Sequence, residues 1–113
     1  MPGVSQILAI KALDALHLRA IATAENIANS GSTAFQAKSV DFEAELREAA
    51  ESGVAAIRAY NATISTERTA TRGDEVRLDL EMASASETAL RYAALTDILN
   101  RQMQISRLAV RGQ

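Results

Sequence analysis

The side chains that could carry chemistry in this 113-residue chain are few, and their spacing argues against most reactions. His17 is the single histidine, hence the one imidazole able to serve as a general base or a metal ligand. It stands between Leu13 and Ala20 on an apolar stripe, with no serine one helical turn away to complete a nucleophilic triad. A packed or partner-facing histidine is the expectation. The carboxylates Asp41, Glu43, Glu45, Glu48 and Glu51 could supply an acid/base pair or a hard-cation site. Their spacing matches no EF-hand loop, and a solvated acidic face is the simpler account. Gly31 and Gly73 stand alone, outside any phosphate-loop pattern. Without cysteine there is neither a disulfide framework nor a thiolate metal centre. Met82 and Met103 read as core filler. No catalytic residue, metal ligand or cofactor is therefore assigned, and an enzyme is not expected.

Charge narrows the partners. Twelve Lys and Arg against fourteen Asp and Glu leave a net charge of -2 and no basic face with which to hold nucleic acid. The carboxy-terminal end, with Arg101, Arg107 and Arg111 and no acid after Asp97, is locally basic. That end is open to two readings: a solvated terminus complementing a helix dipole, or a contact with an acidic patch on a neighbouring subunit. No apolar run reaches the eighteen or so residues of a membrane span, and the N-terminus lacks the pattern of a cleaved signal peptide. The chain is thus expected neither to span a membrane nor to leave by the general secretory route.

The elements that must position these residues are mainly helical. Alanine supplies 23 of the 113 residues, whereas Phe and Tyr together supply four. Alanine is the best helix former but buries little area, so the core should be thin and partners should cover what it leaves open. From Val4 to Asn29 there is no Gly or Pro, and Ile7, Ile10, Leu13, Leu16, Ala20, Ala24 and Ile27 recur at spacings of three or four. A long helix over 4–29 follows. Leu8, Ala15, Leu18 and Ala22 fall on its opposite side, and a helix apolar nearly all round is normally buried nearly all round.

A second long helix, over 79–111, is predicted from the stripe Met82, Ala85, Ala89, Tyr92, Leu95, Leu99, Met103 and Val110. Glu87 with Arg91 and Asp97 with Arg101 are supporting i,i+4 pairs. Asp79 is its expected N-cap after a turn at Gly73-Asp74, and Gly112 its stop. Between the helices, 30–78 forms a short middle region. Ser30 to Thr33 is a break, Asp41 to Glu51 a possible short helix interrupted by Gly53, and Asn61 to Arg72 an extended or mobile stretch. The fold class is mainly all-α: one domain over 1–113, with two terminal helices packed as a coiled-coil-like pair. Leu13, Ala20, Ala24 and Ile27 on one helix are expected to meet Tyr92, Leu95, Leu99 and Met103 on the other, within or between subunits.

The junction after the first helix narrows the reading further. Glu25-Asn26-Ile27-Ala28-Asn29 closes the helix, and Ser30-Gly31-Ser32-Thr33-Ala34-Phe35-Gln36-Ala37 follows. This resembles the signature of the flagellar rod/axial protein family, in which a helix ends in Asn-Ile-Ala-Asn and a small polar turn leads to an aromatic residue. Asn26, Ile27, Ala28, Asn29 and Phe35 match it, and Ser32 to Gln36 stand where members usually have Thr-Pro-Gly-Tyr-Lys. Val40-Asp41-Phe42-Glu43-Ala44, the run from Val76 to Met82, Glu87 to Tyr92, and Leu99-Asn100-Arg101 resemble in particular the small proximal rod subunits. The resemblance covers about residues 10–45 and 75–110.

The resemblance implies a structural subunit of the bacterial flagellar basal body, part of the drive shaft that passes torque from the MS ring toward the hook. It implies self-association and neighbours among the other rod proteins, a FliE-type adaptor, the MS-ring protein and the export-gate proteins. Export through the flagellar type III apparatus, without a cleaved signal peptide, would bring the chain to the periplasmic rod. The competing reading is a cytosolic helical adaptor or flagellar export chaperone.

Overall fold

The computed structural model describes residues 3–32, 34–66 and 77–112. Helix α1, Val4–Ala28, begins where the extended Gly3 lends its carbonyl to the N–H groups of Gln6 and Ile7, both at 3.1 Å. It stops at Asn29, whose backbone N–H and side-chain Nδ2 both donate to the Glu25 carbonyl, at 3.0 and 2.8 Å. One residue thus supplies two donors to a single carbonyl of the last turn.

The chain then turns and runs through strand β1, Lys38–Ser39, into helix α2, Glu43–Ser52. Glu43 and Glu45 sit in the first turn of α2, where the positive end of the helix dipole favours them. Gly53 ends α2 and starts helix α3, Val54–Ala59, with φ 111 and ψ 178, a backbone region essentially closed to side-chain-bearing residues. Strand β2, Ser65–Thr66, pairs antiparallel with β1, Lys38 opposite Thr66 and Ser39 opposite Ser65. Helix α4, Leu78–Arg111, runs 34 residues without a break.

The two long helices lie side by side and antiparallel. Gln6 of α1 donates to Ser106 of α4 at 3.3 Å, and Ala20, Ala24 and Ile27 at the other end of α1 share a groove with Ala85, Ala89 and Tyr92. The molecule is elongated, 64 × 27 × 14 Å, with a radius of gyration of 17.4 Å against the roughly 13 Å of a compact domain of this length.

The core is centred on α1 and the middle of the chain, and α4 reaches it through Leu95. Ala15, Leu16 and Ala22 of α1 pack with Val40, Phe42 and Leu46, while Leu8, Ala12, Leu18, Tyr60, Ala62 and Leu95 close around them. Ile57 of α3 is also fully buried. Among the described residues, the one α4 side chain that is buried is Thr88. The middle of the chain, not the second long helix, therefore covers the better-buried face of α1.

Several sequence expectations need correction. The expected stripe is buried only in part: Ile7 and Leu16 are buried, Leu13 and Ile27 half-buried, and Ile10, Ala20 and Ala24 exposed, whereas Ala15 and Ala22, expected on the opposite side, are buried. On a helix apolar all round, tertiary packing chooses the face, and the segment 38–62 chose that one. Helix α3, which follows α2 directly, was not expected, whereas the described part of the Asn61 to Arg72 stretch, residues 61–66, has no helix and ends in β2. Asp79 is not the N-cap of α4: Arg77 holds that place, and Asp79, in the first turn, accepts hydrogen bonds from Arg77 Nε and Nη2 at 3.2 and 3.0 Å. The expected turn at Gly73-Asp74, the tail of the Asn61 to Arg72 stretch, Thr33 and Val76 lie outside the described residues. Among the described residues no helix is long and apolar enough to cross a membrane.

Candidate functional site

The corner after α1 is built from side-chain amides. Asn26, 1 % exposed, turns its carboxamide toward the backbone of Lys38: its Nδ2 donates to the Lys38 carbonyl and the Lys38 N–H donates to its Oδ1, each at 2.8 Å. A side-chain amide here pairs with a peptide group as a neighbouring strand would, satisfying two backbone groups that burial would otherwise leave costly. Around it the turn closes through Ser30 N–H to Ile27 carbonyl, Ser32 N–H to Asn29 carbonyl and Phe35 N–H to Ser32 carbonyl, at 3.2, 3.0 and 3.4 Å. Lys38 pairs with Glu25, and its ammonium lies 6.0 Å from the centroid of the half-buried Phe35 ring. The turn needs no left-handed backbone at Asn29 or Gly31: Gly53 is the one residue with positive φ among those described. Asn29 ends the helix by hydrogen bonding instead.

A second node ties three elements through one carboxylate. Arg19 of α1 lies over the Phe42 ring at 4.7 Å and donates to the Val40 carbonyl from Nε and Nη2, at 3.0 and 2.6 Å. Its Nη1 and Nη2 grip both oxygens of Glu43, at 2.9 and 2.7 Å, a bidentate pair of the kind that fixes orientation as well as charge. Arg91 of α4 reaches the same carboxylate at 3.2 Å and Glu87 at 2.7 Å. Glu43, expected on a solvated face, is thus the fastening between α1, α2 and α4. Beside it, the Tyr60 hydroxyl donates to Glu45 at 3.1 Å; burial first, then that carboxylate, pushes its pKa up to about 12.

Hydrogen bonding from Arg19 pulls the Glu43 carboxyl from 4.5 down to about 2. A carboxylate whose pKa is lower folded than unfolded stabilises the fold fully above the unfolded value and loses that contribution as pH falls through the folded one. Stability should therefore decline between about pH 4.5 and pH 2 by roughly 1 kcal/mol from this group, the side chain being 46% exposed and screened. Urea unfolding at a series of pH values checks it, and Glu43→Gln should flatten that part of the profile.

The seam between α1 and α4 is lined with small side chains. On one side Leu16, His17, Ala20, Ala24 and Ile27 face Ala85, Ala89, Tyr92 and Ala93 across an open groove of about 380 Å³. On the other, a groove of about 490 Å³ runs between Leu8, Ala9 and Ala12 of α1, Leu46 and Ala50 of α2, and Leu95 and Ile98 of α4. Outside the seam α4 presents Leu80, Met82, Leu90, Ile105, Leu108 and Val110 to solvent.

Among the sequence-predicted packing residues, Ala20, Ala24, Ile27 and Tyr92 share one groove and Leu95 borders the other. Leu13 and Leu99 are half-buried, and Met103 is exposed. The antiparallel arrangement sets Ile27 near Ala85 and Thr88, at the far end of α4 from Met103. His17 is exposed and lines the groove with Tyr92. Among the described residues, no three His, Asp or Glu side chains converge to hold a metal. Sequence reasoning missed the roles of Arg19, Lys38, Glu43 and Arg91. The available signal was Arg19 itself, one of few charges, with Lys11 and Glu25, on an otherwise apolar side of α1.

The corner after α1 is thus held by hydrogen bonds between amide and backbone groups, and α4 leaves large apolar side chains exposed. No family model matches the chain. It is similar to the flagellar basal body rod protein FlgB of Proteus mirabilis (strain HI4320), 28% identical over an alignment that covers 80% of each chain.

Proposed function

We propose that this chain is a FlgB-type structural subunit of the proximal rod of the bacterial flagellar basal body, part of the drive shaft that passes torque from the MS ring toward the hook and filament. The observation that carries the reading is the corner: the first asparagine of the Asn-Ile-Ala-Asn signature, Asn26, pins the outgoing strand, and the second, Asn29, ends the helix. The apolar residues that α4 leaves uncovered support assembly with neighbours.

On this reading residues 1–113 act as one rod-type domain. Leu13, Ala20, Ala24, Ile27, Tyr92, Leu95, Leu99 and Met103 are its packing residues, within the chain and between subunits. Its partners are further copies, the other rod proteins, a FliE-type adaptor, the MS-ring protein and the export-gate proteins. It reaches the periplasmic rod through the flagellar type III apparatus without a cleaved signal, and it performs no reaction. A cytosolic adaptor or export chaperone would share the helices but gives no reason for the corner.

The test is basal-body isolation from strains carrying substituted chains. Setting a carboxylate into an apolar seam is costly, so Leu99→Glu should leave the chain out of the basal body and abolish swimming while its cellular level stays normal. Arg58→Gln, on the exposed side of α3, should swim like the parent. Complete rods containing Leu99→Glu would show that this stripe is no interface. A parent chain found only in the cytosol would favour the adaptor.

A further inference from the structure

A cavity of about 240 Å³ between α1, the β1 segment and α4 differs in character from the two apolar grooves. Its floor is Thr23 of α1 and Thr88 of α4, each 4% exposed, beside the buried Ala22 and Val40. Among the described residues neither threonine hydroxyl has a hydrogen-bond partner, so both open onto the cavity, where Ser39 and Ser84 add two more hydroxyls. A polar group buried that deeply calls for a partner.

The charges decide which partner. Three cations line the cavity, and each is already held by a carboxylate: Arg19 by Glu43, Arg91 by Glu43 and Glu87, and Lys38 by Glu25. Asp41, just after β1, and Glu81 of α4 line it without an ion pair among the described residues. The uncompensated charge is therefore negative, which favours a cation over an anion. A metal ion lacks its ligand set, since no three His, Asp or Glu side chains of described residues converge to hold one. No aromatic ring of a described residue lines the cavity, so a guanidinium or a quaternary ammonium finds nothing to stack on. A primary ammonium needs no such surface: it is compact and carries three N–H donors, which oxygens from separate walls can accept.

We infer that this cavity binds a primary alkylammonium group, whose N–H donors are shared among the carboxylates of Asp41 and Glu81 and the hydroxyls of Thr23 and Thr88. Asp41 belongs to the segment that leaves the corner and Glu81 to the second long helix, so the bound cation fastens one to the other. The group is carried either by a free amine or by a lysine of another protein. The inference does not rest on the rod reading, and either can fail without the other.

The purified full-length chain is titrated with n-butylammonium chloride while the methyl and amide signals of Thr23 and Thr88 are followed by nuclear magnetic resonance. Saturable shifts at both threonines are expected. Asp41→Asn and Glu81→Gln should each weaken binding about tenfold, as loss of a hydrogen bond to a charged group does. Glu48→Gln and Glu51→Gln remove the same charge outside the cavity and should leave binding unchanged. Tetramethylammonium, which has no N–H, should bind the parent chain about tenfold more weakly than n-butylammonium. Absence of saturable shifts, equal weakening by all four substitutions, equal binding of tetramethylammonium, or tighter binding of butanoate would overturn the inference. The source of the group is then read with a carbodiimide, which joins a carboxylate to an amine touching it, applied to freshly lysed cells that make the parent chain. Asp41 or Glu81 joined to a lysine of another protein makes the ligand a side chain, and either one joined to a small amine makes it a free amine. Parent chain recovered with neither adduct would overturn the use of the cavity in the cell.

Discussion

Asn26→Ala should lower the unfolding free energy of the full chain by about 2–4 kcal/mol, far beyond what loss of a small polar side chain at a surface would do. The effect comes from what is left behind. Asn26 is 1 % exposed and engages both peptide groups of Lys38, so alanine removes one side chain but leaves a buried N–H and a buried carbonyl without partners. Asn26→Asp keeps the acceptor for the Lys38 N–H and sets a carboxylate oxygen against the Lys38 carbonyl, so it should not rescue. Urea unfolding followed by far-UV circular dichroism measures the loss, and hydrogen exchange at Lys38 locates it. Unchanged stability together with a protected Lys38 amide would mean that the corner is held by something other than this amide.

Leu16→Ala should be as damaging, at about 2–5 kcal/mol, while Leu90→Ala should stay within about 0.5 kcal/mol of the parent. Both remove the same atoms from a long apolar helix. Leu16 is 1% exposed at the centre of the core, and Leu90 is 72% exposed on α4. Since small domains hold only about 5–15 kcal/mol in total, the first change should leave a partly unfolded population at 37 °C. In assembly the ranking should shift: Leu90→Glu, harmless to the isolated chain, should hinder incorporation into the basal body. Equal destabilisation by Leu16→Ala and Leu90→Ala, read from thermal melts, would mean that the outer face of α4 is covered in the free chain.

The long helices were legible because their signal is periodic and uninterrupted: neither Val4–Ala28 nor Leu78–Arg111 contains Gly or Pro. The corner residues were legible because Asn26 and Asn29 sit in a recognisable order, although the partner of Asn26 was not. Pairings such as Arg19 with Glu43 and Arg91 with Glu43 join residues 24 and 48 positions apart, and such distant contacts leave no local pattern. Helix α3 was missed because six residues are too few to show a period. The choice of face on α1 was out of reach for a different reason. Where both sides of a helix are apolar, hydrophobicity cannot say which one the rest of the chain will cover, and only the docking of Val40, Phe42 and Leu46 decided it.

Helix α4, continuous over 34 residues, spans about 51 Å of a molecule 64 Å long. The other half of the molecule is jointed, with a turn after Asn29 and a second break at Gly53. Stiffness is therefore distributed unequally: a push at one end of α4 arrives at the other through an unbroken hydrogen-bond ladder, while the same push on the α1 side meets two places where the backbone can yield. In a stack of such molecules the α4 helices would act as the struts and the corners as the cushions between them.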